Sequence, residues 1–306
     1  MQARAGLAPP GTLRATRPRF YPWATVAPVL AIIALFTIFP FGFAAVTSLR
    51  RVLLTAPGAT PFVGLDNYAE VLSNSTFRTA AGKTLVFSAI TVPLVSGVGM
   101  AVALLLNQRL RGFGMLRALV LLPWSIPLVS AGIIWRLLLH GNFGALNGLL
   151  LQLGVIETYV PWLSHSTLAL LSVIVAHVWR EFPLPAILFL AGLQTIPRDV
   201  VDAAKVDGAG AWERFRFITL PLLKAPLLIV LVYETMIAIA VFDLIFVLTG
   251  GGPGSATTVI SWYAYAESFK FLDLGHGAAL SFLLSAVLLV LIAVYLRIVR
   301  LEGDQG

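Results

Sequence analysis

DAAKVDGAGAWERFRFITLP, from Asp202 to Pro221, is a charged, loop-like island between two long apolar segments. Pro197 closes the run before it. Asp199 is placed to cap a short helix, with Asp202 three residues on, as in a capping box. Val200, Ala203 and Ala204 share one face at helical spacing, and the small alanines let another protein approach closely. Asp207-Gly208 stops that helix, because glycine accepts the left-handed conformation. Trp212, Phe215 and Phe217 then offer apolar anchors before Leu220-Pro221 leads into the next run. A polar segment of this size on a membrane protein either meets something soluble or lies amphipathically on the lipid surface. Residue types alone leave both open.

The membrane setting follows from composition. Of 306 residues, 58% are hydrophobic and 11% charged. A soluble domain carries about 25% charged residues, so this chain cannot cover itself with a polar surface and belongs in a bilayer. It has no cysteine, which excludes disulfides and thiolate metal sites. The net charge of +7 suits basic residues retained on the cytoplasmic side better than nucleic acid. No small-residue cleavage site follows the first apolar run, so a removed signal peptide is not expected.

A spanning helix needs roughly 20 apolar residues. Six segments qualify: Trp23–Ser48, Thr84–Leu106, Leu116–Leu139, Ser166–Leu193, Leu222–Leu248 and Gly275–Leu296. The fold expected is therefore an all-α integral membrane protein with six transmembrane helices. The fourth segment contains Pro183 and Pro185. A proline break inside a membrane is tolerated only where protein or a wet cavity re-satisfies the backbone, so it hints at a pathway. Arg4, Arg14, Arg17 and Arg19, then Arg109, Arg111 and Arg117, then Arg198, Lys205, Arg214, Arg216 and Lys224, then Arg297 and Arg300 fall on one side. Against them stand Arg50, Arg51, Arg78, Lys83 and Lys270. Both termini and the 197–221 loop are thus expected in the cytoplasm. Arg50 and Arg51 fit a first helix that ends early, with its cations at the outer headgroups. The organisation expected is a mobile tail over 1–22, one six-helix transmembrane domain over 23–301 and a short end over 302–306. No inverted internal repeat of the secondary-transporter kind is visible.

The spacing from Asp202 to Pro221 resembles the EAA loop of ABC-importer permeases, with Asp202 where that family usually has Glu. Phe62-Val63-Gly64-Leu65-Asp66-Asn67-Tyr68 resembles a segment that follows the first span of sugar-type permeases. Leu122-Pro123-Trp124 with Pro127, Phe143-Gly144 with Asn147, and Leu248-Thr249-Gly250-Gly251-Gly252-Pro253 look like the same group. The chain from Trp23 to Leu301 is thus similar to the MalF-like, carbohydrate-uptake permeases of type I ABC importers, without a large extracytoplasmic insertion. The resemblance implies that Asp202, Ala203, Ala204, Asp207, Gly208, Ile218, Leu220 and Pro221 dock an ATPase. It also implies a second, different permease subunit, two ATPase subunits and an extracytoplasmic solute-binding protein, in the inner or plasma membrane. ATP and Mg would be bound by the partner ATPase and no cofactor by this chain. The glycine run at 250–254 lacks the Gly-Lys-Ser/Thr of a nucleotide loop. By resemblance it reaches towards the binding protein, and by composition it reads as a flexible turn.

Ionisable groups inside a span cost about 2.5–3.5 kcal/mol each on insertion scales and usually face a cavity or a partner. The candidates are Arg136, Arg180, Glu181, Glu234 and Asp243. The resemblance carries sugar contacts to Arg180, Glu181, Leu184, Glu234, Ile237, Ala238 and Val241, the last four at one-face helical spacing. The competing reading pairs Arg180 with Glu181 or Glu234 simply to hold the bundle. His140, His165, His177 and His276 have no ligand spacing, so no metal site is assigned. The function expected is a sugar pathway, for a di- or oligosaccharide. A glycerophosphodiester or polyol importer of the same family is the alternative. An ion-coupled secondary transporter using Glu181, Glu234 and Asp243, or a membrane enzyme using Glu181 and Glu234, ranks below both.

Overall fold

The computed structural model describes residues 21–56, 58, 60–108 and 113–303. The tail expected over 1–22 lies outside them but for its last two residues, and the end over 302–306 but for its first two. Arg4, Arg14, Arg17, Arg19, Arg109 and Arg111 lie outside as well. The chain divides at Val46 into two units. The first supplies an apolar helix, α1 (Val26–Ser48), whose last two residues belong to the second.

The second unit is helical, with isolated backbone bridges between Arg50 and Phe62 and between Leu53 and Asp273. Its elements are α2 (Asp66–Ser73), α3 (Ser75–Leu106), α4 (Phe113–Ser125), α5 (Leu128–Leu138), α6 (Ala145–Gln152), α7 (Ser166–Glu181), α8 (Pro183–Thr195), α9 (Arg198–Val206), α10 (Ala211–Leu222), α11 (Lys224–Ile239), α12 (Asp243–Leu248), α13 (Ile260–Tyr265) and α14 (Leu274–Gly303). Counted by length and composition, α1, α3 and Leu274–Arg297 of α14 can each cross a bilayer. Three more crossings are bent pairs: Gly114–Ser125 with α5 at 93°, α7 with α8 at 42°, and α10 with α11 at 72°. With each pair taken as one span, the total is six.

Two expected spans need correction. Leu116–Leu139 is not one straight helix, because Pro127 forces Ile126 out of the α region and starts α5 as its N-cap. Leu222–Leu248 does not run through either. The helix stops at Ile239, and α12 begins afresh with Asp243 in its first turn, where a carboxylate suits the helix dipole. Ser261 Oγ donates to the Val241 carbonyl left free in that break. The break before Pro183 is present as expected, with Pro183 opening α8.

Helix α3 is the spine. It begins earlier than hydropathy alone indicates, capped by Asn74, whose side chain accepts from the Thr76 amide at 2.8 Å. Along it sit three apolar clusters. Ala80 shares one with Val71, Tyr263 and Leu280; Phe87 shares another with Val173, Ala238 and Leu244; Met100, Ala103 and Leu106 share the third with Phe189, Leu193 and Val230. Lipid tails are as apolar as leucine, so such helices are held by close packing rather than by exclusion of water. Gly99 shows how close: a Cβ there would come within 2.7 Å of Pro185 Cβ. Thr84 Oγ1 adds a polar tie, accepting from the Ile260 amide at 2.9 Å.

The connections are stitched by buried side chains. Asn67 Nδ2 donates to the carbonyls of Ser48 at 2.8 Å and Arg50 at 2.9 Å, and Tyr68 meets Ser48 at 2.8 Å. The first helix therefore ends before Arg50 and Arg51, and Arg51 pairs with Glu70. Asn147 is fully buried, donating to Val160 O at 3.0 Å and accepting from Trp162 Nε1 at 2.9 Å and Val160 N at 3.2 Å. The glycine run is ordered rather than a loose turn: Thr257 Oγ1 donates to Gly252 O and Thr258 Oγ1 to Gly251 O, both at 2.9 Å.

Candidate functional site

Two places combine chemistry with position. One lies inside the spans, where the α7–α8 bend approaches α11 and the end of α4. Arg180 Nη1 donates to Glu181 Oε1 at 2.7 Å. The Arg180 guanidinium also stands 6.0 Å from the centroid of the Trp124 ring, within cation–π reach. Glu181 and Glu234 are both fully buried, and Glu234 lies within electrostatic reach of Glu181 and Arg180. Tyr233 is within reach of all three. His177, one turn before Arg180 and Glu181, is buried with its ring edge-on to Phe87 at 5.1 Å.

Buried polar groups are almost always hydrogen-bonded, so exceptions ask for a reason. Here they are concentrated. Both carboxylate oxygens of Glu234, Oε2 of Glu181, Nε of Arg180 and both ring nitrogens of His177 have no hydrogen-bond partner among the described residues. An ion pair built only to hold helices would satisfy its own atoms. This one leaves donors and acceptors open in a place shielded from solvent.

Of the residues expected along a pathway, Arg180, Glu181 and Glu234 are brought together. Leu184 and Ile237 are half-buried on α8 and α11. Ala238 and Val241 pack into the apolar cluster around Phe87. Val241 corrects the one-face expectation, since it lies past the end of α11 and not on that helix. Trp124, His177 and Tyr233 went unassigned in the sequence. His177 carried a legible signal: it stands at i−3 and i−4 from Arg180 and Glu181, on the same helix face.

The other place is the segment from Asp202 to Pro221. Helix α9 forms over Arg198–Val206, but Pro197 and not Asp199 is its N-cap, and no side chain caps it. Asp199 sits inside the first turn, where its charge suits the dipole. The reciprocal bond occurs one helix later, where Glu213 Oε2 accepts from the Gly210 amide at 2.6 Å. The inward face is Val201 and Ala204; Val200 and Ala203 point outward with Val206, which corrects the expected grouping. Asp207 is the C-cap, and Gly208 turns the chain at φ +82°. Asp202 is 64% exposed and pairs with Lys205 at 2.7 Å. The hydrogen bond from Lys205 holds its carboxyl below the usual aspartate range.

Only one of the three expected aromatic anchors is seated. Phe215 packs against the cluster around Phe189, whereas Trp212 and Phe217 are 69% and 70% exposed. Ile218 and Leu220 are half-buried and Pro221 is exposed. Asp207, Gly208, Arg214, Phe217 and Ile218 border a shallow hollow of about 370 Å³. Phe217, one of the two exposed rings, lines this hollow, and Asp207 and Gly208 bring the end of α9 to its edge.

The sequence profile of the family described as binding-protein-dependent transport system inner membrane component matches residues 94–301. The trehalose/maltose transport system permease protein MalF of Thermococcus litoralis is 42% identical over 279 residues, covering 91% of this chain and 93% of that protein. The trehalose transport system permease protein SugA of Mycobacterium tuberculosis is 33% identical over 282 residues, covering 92% and 89%. A crystal structure of a bacterial ABC transporter involved in the import of the acidic polysaccharide alginate superposes with a TM-score of 0.77 at 22% identity, covering 91% of this chain and 94% of that one.

Proposed function

The chain belongs to the family of binding-protein-dependent transport system inner membrane components, and from that premise we propose that it is half of the membrane pathway of an ATP-driven importer for a di- or oligosaccharide. A second permease subunit completes the pathway. Two ATPase subunits, which hold the ATP and Mg, dock on the surface formed by α9 and its neighbours. A binding protein delivers the sugar at the opposite end. Both termini and the 197–221 loop face the cytoplasm.

The observation that carries this reading is α9. It is a short helix, bounded at one end by Pro197 and at the other by the Gly208 turn, with Ala204 buried and Val201 half-buried on its inner face and the outer face exposed. A push on such a helix is passed to α8 and α10–α11 as a rigid displacement. Within the spans, a passing sugar would meet Arg180, Glu181 and Glu234, with Leu184, Ile237, Ala238 and Val241 along the route. Polar groups that fix orientation inside a mostly apolar pocket suit a polyhydroxylated solute, and Trp124 and Tyr233 offer ring faces. Hydroxyls would satisfy the open atoms of Glu181 and Glu234 in passing.

The test is reconstitution of the chain with whatever subunits co-purify, followed by trehalose and maltose uptake into sealed vesicles. Uptake that requires ATP and a binding protein supports the reading. Uptake driven by an ion gradient without ATP transfers the function to the secondary-transporter class.

A further inference from the structure

We propose that the chain carries, beside α9, a binding site for a phosphate-bearing anion, either the headgroup of an anionic phospholipid or a free phosphorylated solute. A cavity of about 970 Å³ opens between the last turn of α3, the start of α4, the end of α8 and the bundle-facing side of α9. Drug-sized ligands occupy pockets of about 300–1,000 Å³, so it has room for a whole headgroup.

Its lining selects the charge. Arg117, Arg198 and Lys205 border it, and the one carboxylate present, Asp202, is already bound to Lys205 at 2.7 Å. Among the described residues neither guanidinium meets a carboxylate at ion-pair distance; Arg117 donates to the Leu106 carbonyl at 3.2 Å. Guanidinium forks match phosphate oxygens in pairs, which a point cation does not. The carboxamides of Asn107 and Gln194 add donors for remaining oxygens or glycerol hydroxyls. Leu193 and Ile196 supply an apolar wall on the bundle side, where the glyceryl end of a lipid would lie. Basic pockets between helix ends at the membrane surface are where anionic headgroups lodge.

Position gives the site a consequence. Arg117 belongs to α4, whereas Arg198 and Lys205 belong to α9. An anion held by both links α9 to a helix with which it shares no side-chain hydrogen bond among those between described residues. Occupancy would therefore stiffen the segment proposed to receive the ATPase. Binding itself stands apart from the transport reading, because the chain alone carries every named group.

The experiment is native mass spectrometry of the purified full chain in neutral detergent, titrated with phosphatidylglycerol and with phosphatidylcholine of the same acyl chains. One saturable phosphatidylglycerol adduct, far stronger than any phosphatidylcholine adduct, is expected. Arg198→Gln should weaken it about fivefold, and the Arg117→Gln/Arg198→Gln pair about twenty-five-fold, from the worth of each cation near an anionic surface. Arg136→Gln, outside the cavity, should leave it unchanged. Arg198 is exposed, so its single variant keeps the fold, which circular dichroism checks. Displacement of the lipid by glycerol 3-phosphate identifies a soluble phosphate ligand, and failure to displace identifies the lipid. Equal retention of the two lipids, or equal effects of Arg198→Gln and Arg136→Gln, would overturn the proposal.

Discussion

Glu234 shows at the scale of one residue how stability and function pull apart. It is fully buried, and neither carboxylate oxygen has a partner among the described residues. A buried polar group left without a partner costs about 1–3 kcal/mol, a cost that a packed apolar side chain of similar volume does not carry. Glu234→Leu should therefore raise the melting temperature of the purified chain or leave it unchanged, while lowering sugar uptake. A clear loss of thermal stability would assign Glu234 to the scaffold. Arg180 should behave oppositely. Arg180→Leu strands the buried Glu181 carboxylate, which costs about 3–5 kcal/mol when one partner of a buried pair is removed. Asn147 is a scaffold residue by the same logic. Asn147→Leu removes the acceptor of Val160 N and Trp162 Nε1 and the donor to Val160 O. Each orphaned group costs about 1–3 kcal/mol if it stays buried. Hydrogen exchange at the Val160 amide should speed up, with no change at α9.

Helix α9 and its turn are the element on which the proposed coupling rests. Gly208 holds φ +82°, yet a Cβ there would meet nothing within 4 Å. The cost of substitution is thus conformational and amounts to about 1–2 kcal/mol for an L-residue in the left-handed region. Gly208→Val should leave the chain assembled but raise the ATP hydrolysed per sugar imported. Gly208→Asn, which tolerates that region, should retain coupling. Equal behaviour of the two would show that backbone conformation at 208 is not what matters. The Asp202–Lys205 pair gives α9 a pH dependence with a defined sign. Because the Asp202 carboxyl is held below its ordinary value, its contribution is present above about pH 3.9 and is lost as pH falls through and below that value. Hydrogen-exchange protection across α9 should be flat from about pH 5 to 8, apart from the intrinsic exchange rate, and drop only below about 4.

At the scale of the whole molecule, the absence of native cysteine makes orientation directly testable. Single cysteines at Ala203 and Glu157, both exposed, fall on opposite sides in the proposed topology. Ala203→Cys should react with an impermeant maleimide only in permeabilised cells, and Glu157→Cys in intact ones. The reverse pattern would turn the proposed topology over and move α9 away from any ATPase. Much of this frame was legible in the residues. An excess of apolar side chains reports a bilayer wherever they are placed, and Gly208 marked the end of α9, whereas its start was expected at Asp199 and lies at Pro197. The bend at Ile126 and the break at Ala240–Phe242 were harder to read, because apolar hydropathy runs on through both. Hydropathy measures what surrounds a side chain and says nothing of where the backbone turns.

The sequence by itself determined the membrane class, the family and the placing of the α9 segment, since each depends on composition or on spacing within about 20 residues. Only the tertiary structure decided which polar atoms are left open inside the spans. It also decided that Trp212 and Phe217 face outward while Phe215 is seated, and that Arg117 and Arg198 border one cavity. Those outcomes depend on which helices meet, and contacts such as that of Ile260 with Thr84 join residues 176 apart in the chain. No local pattern encodes a partner at that distance, because the neighbour that satisfies a buried group is chosen by packing and not by spacing.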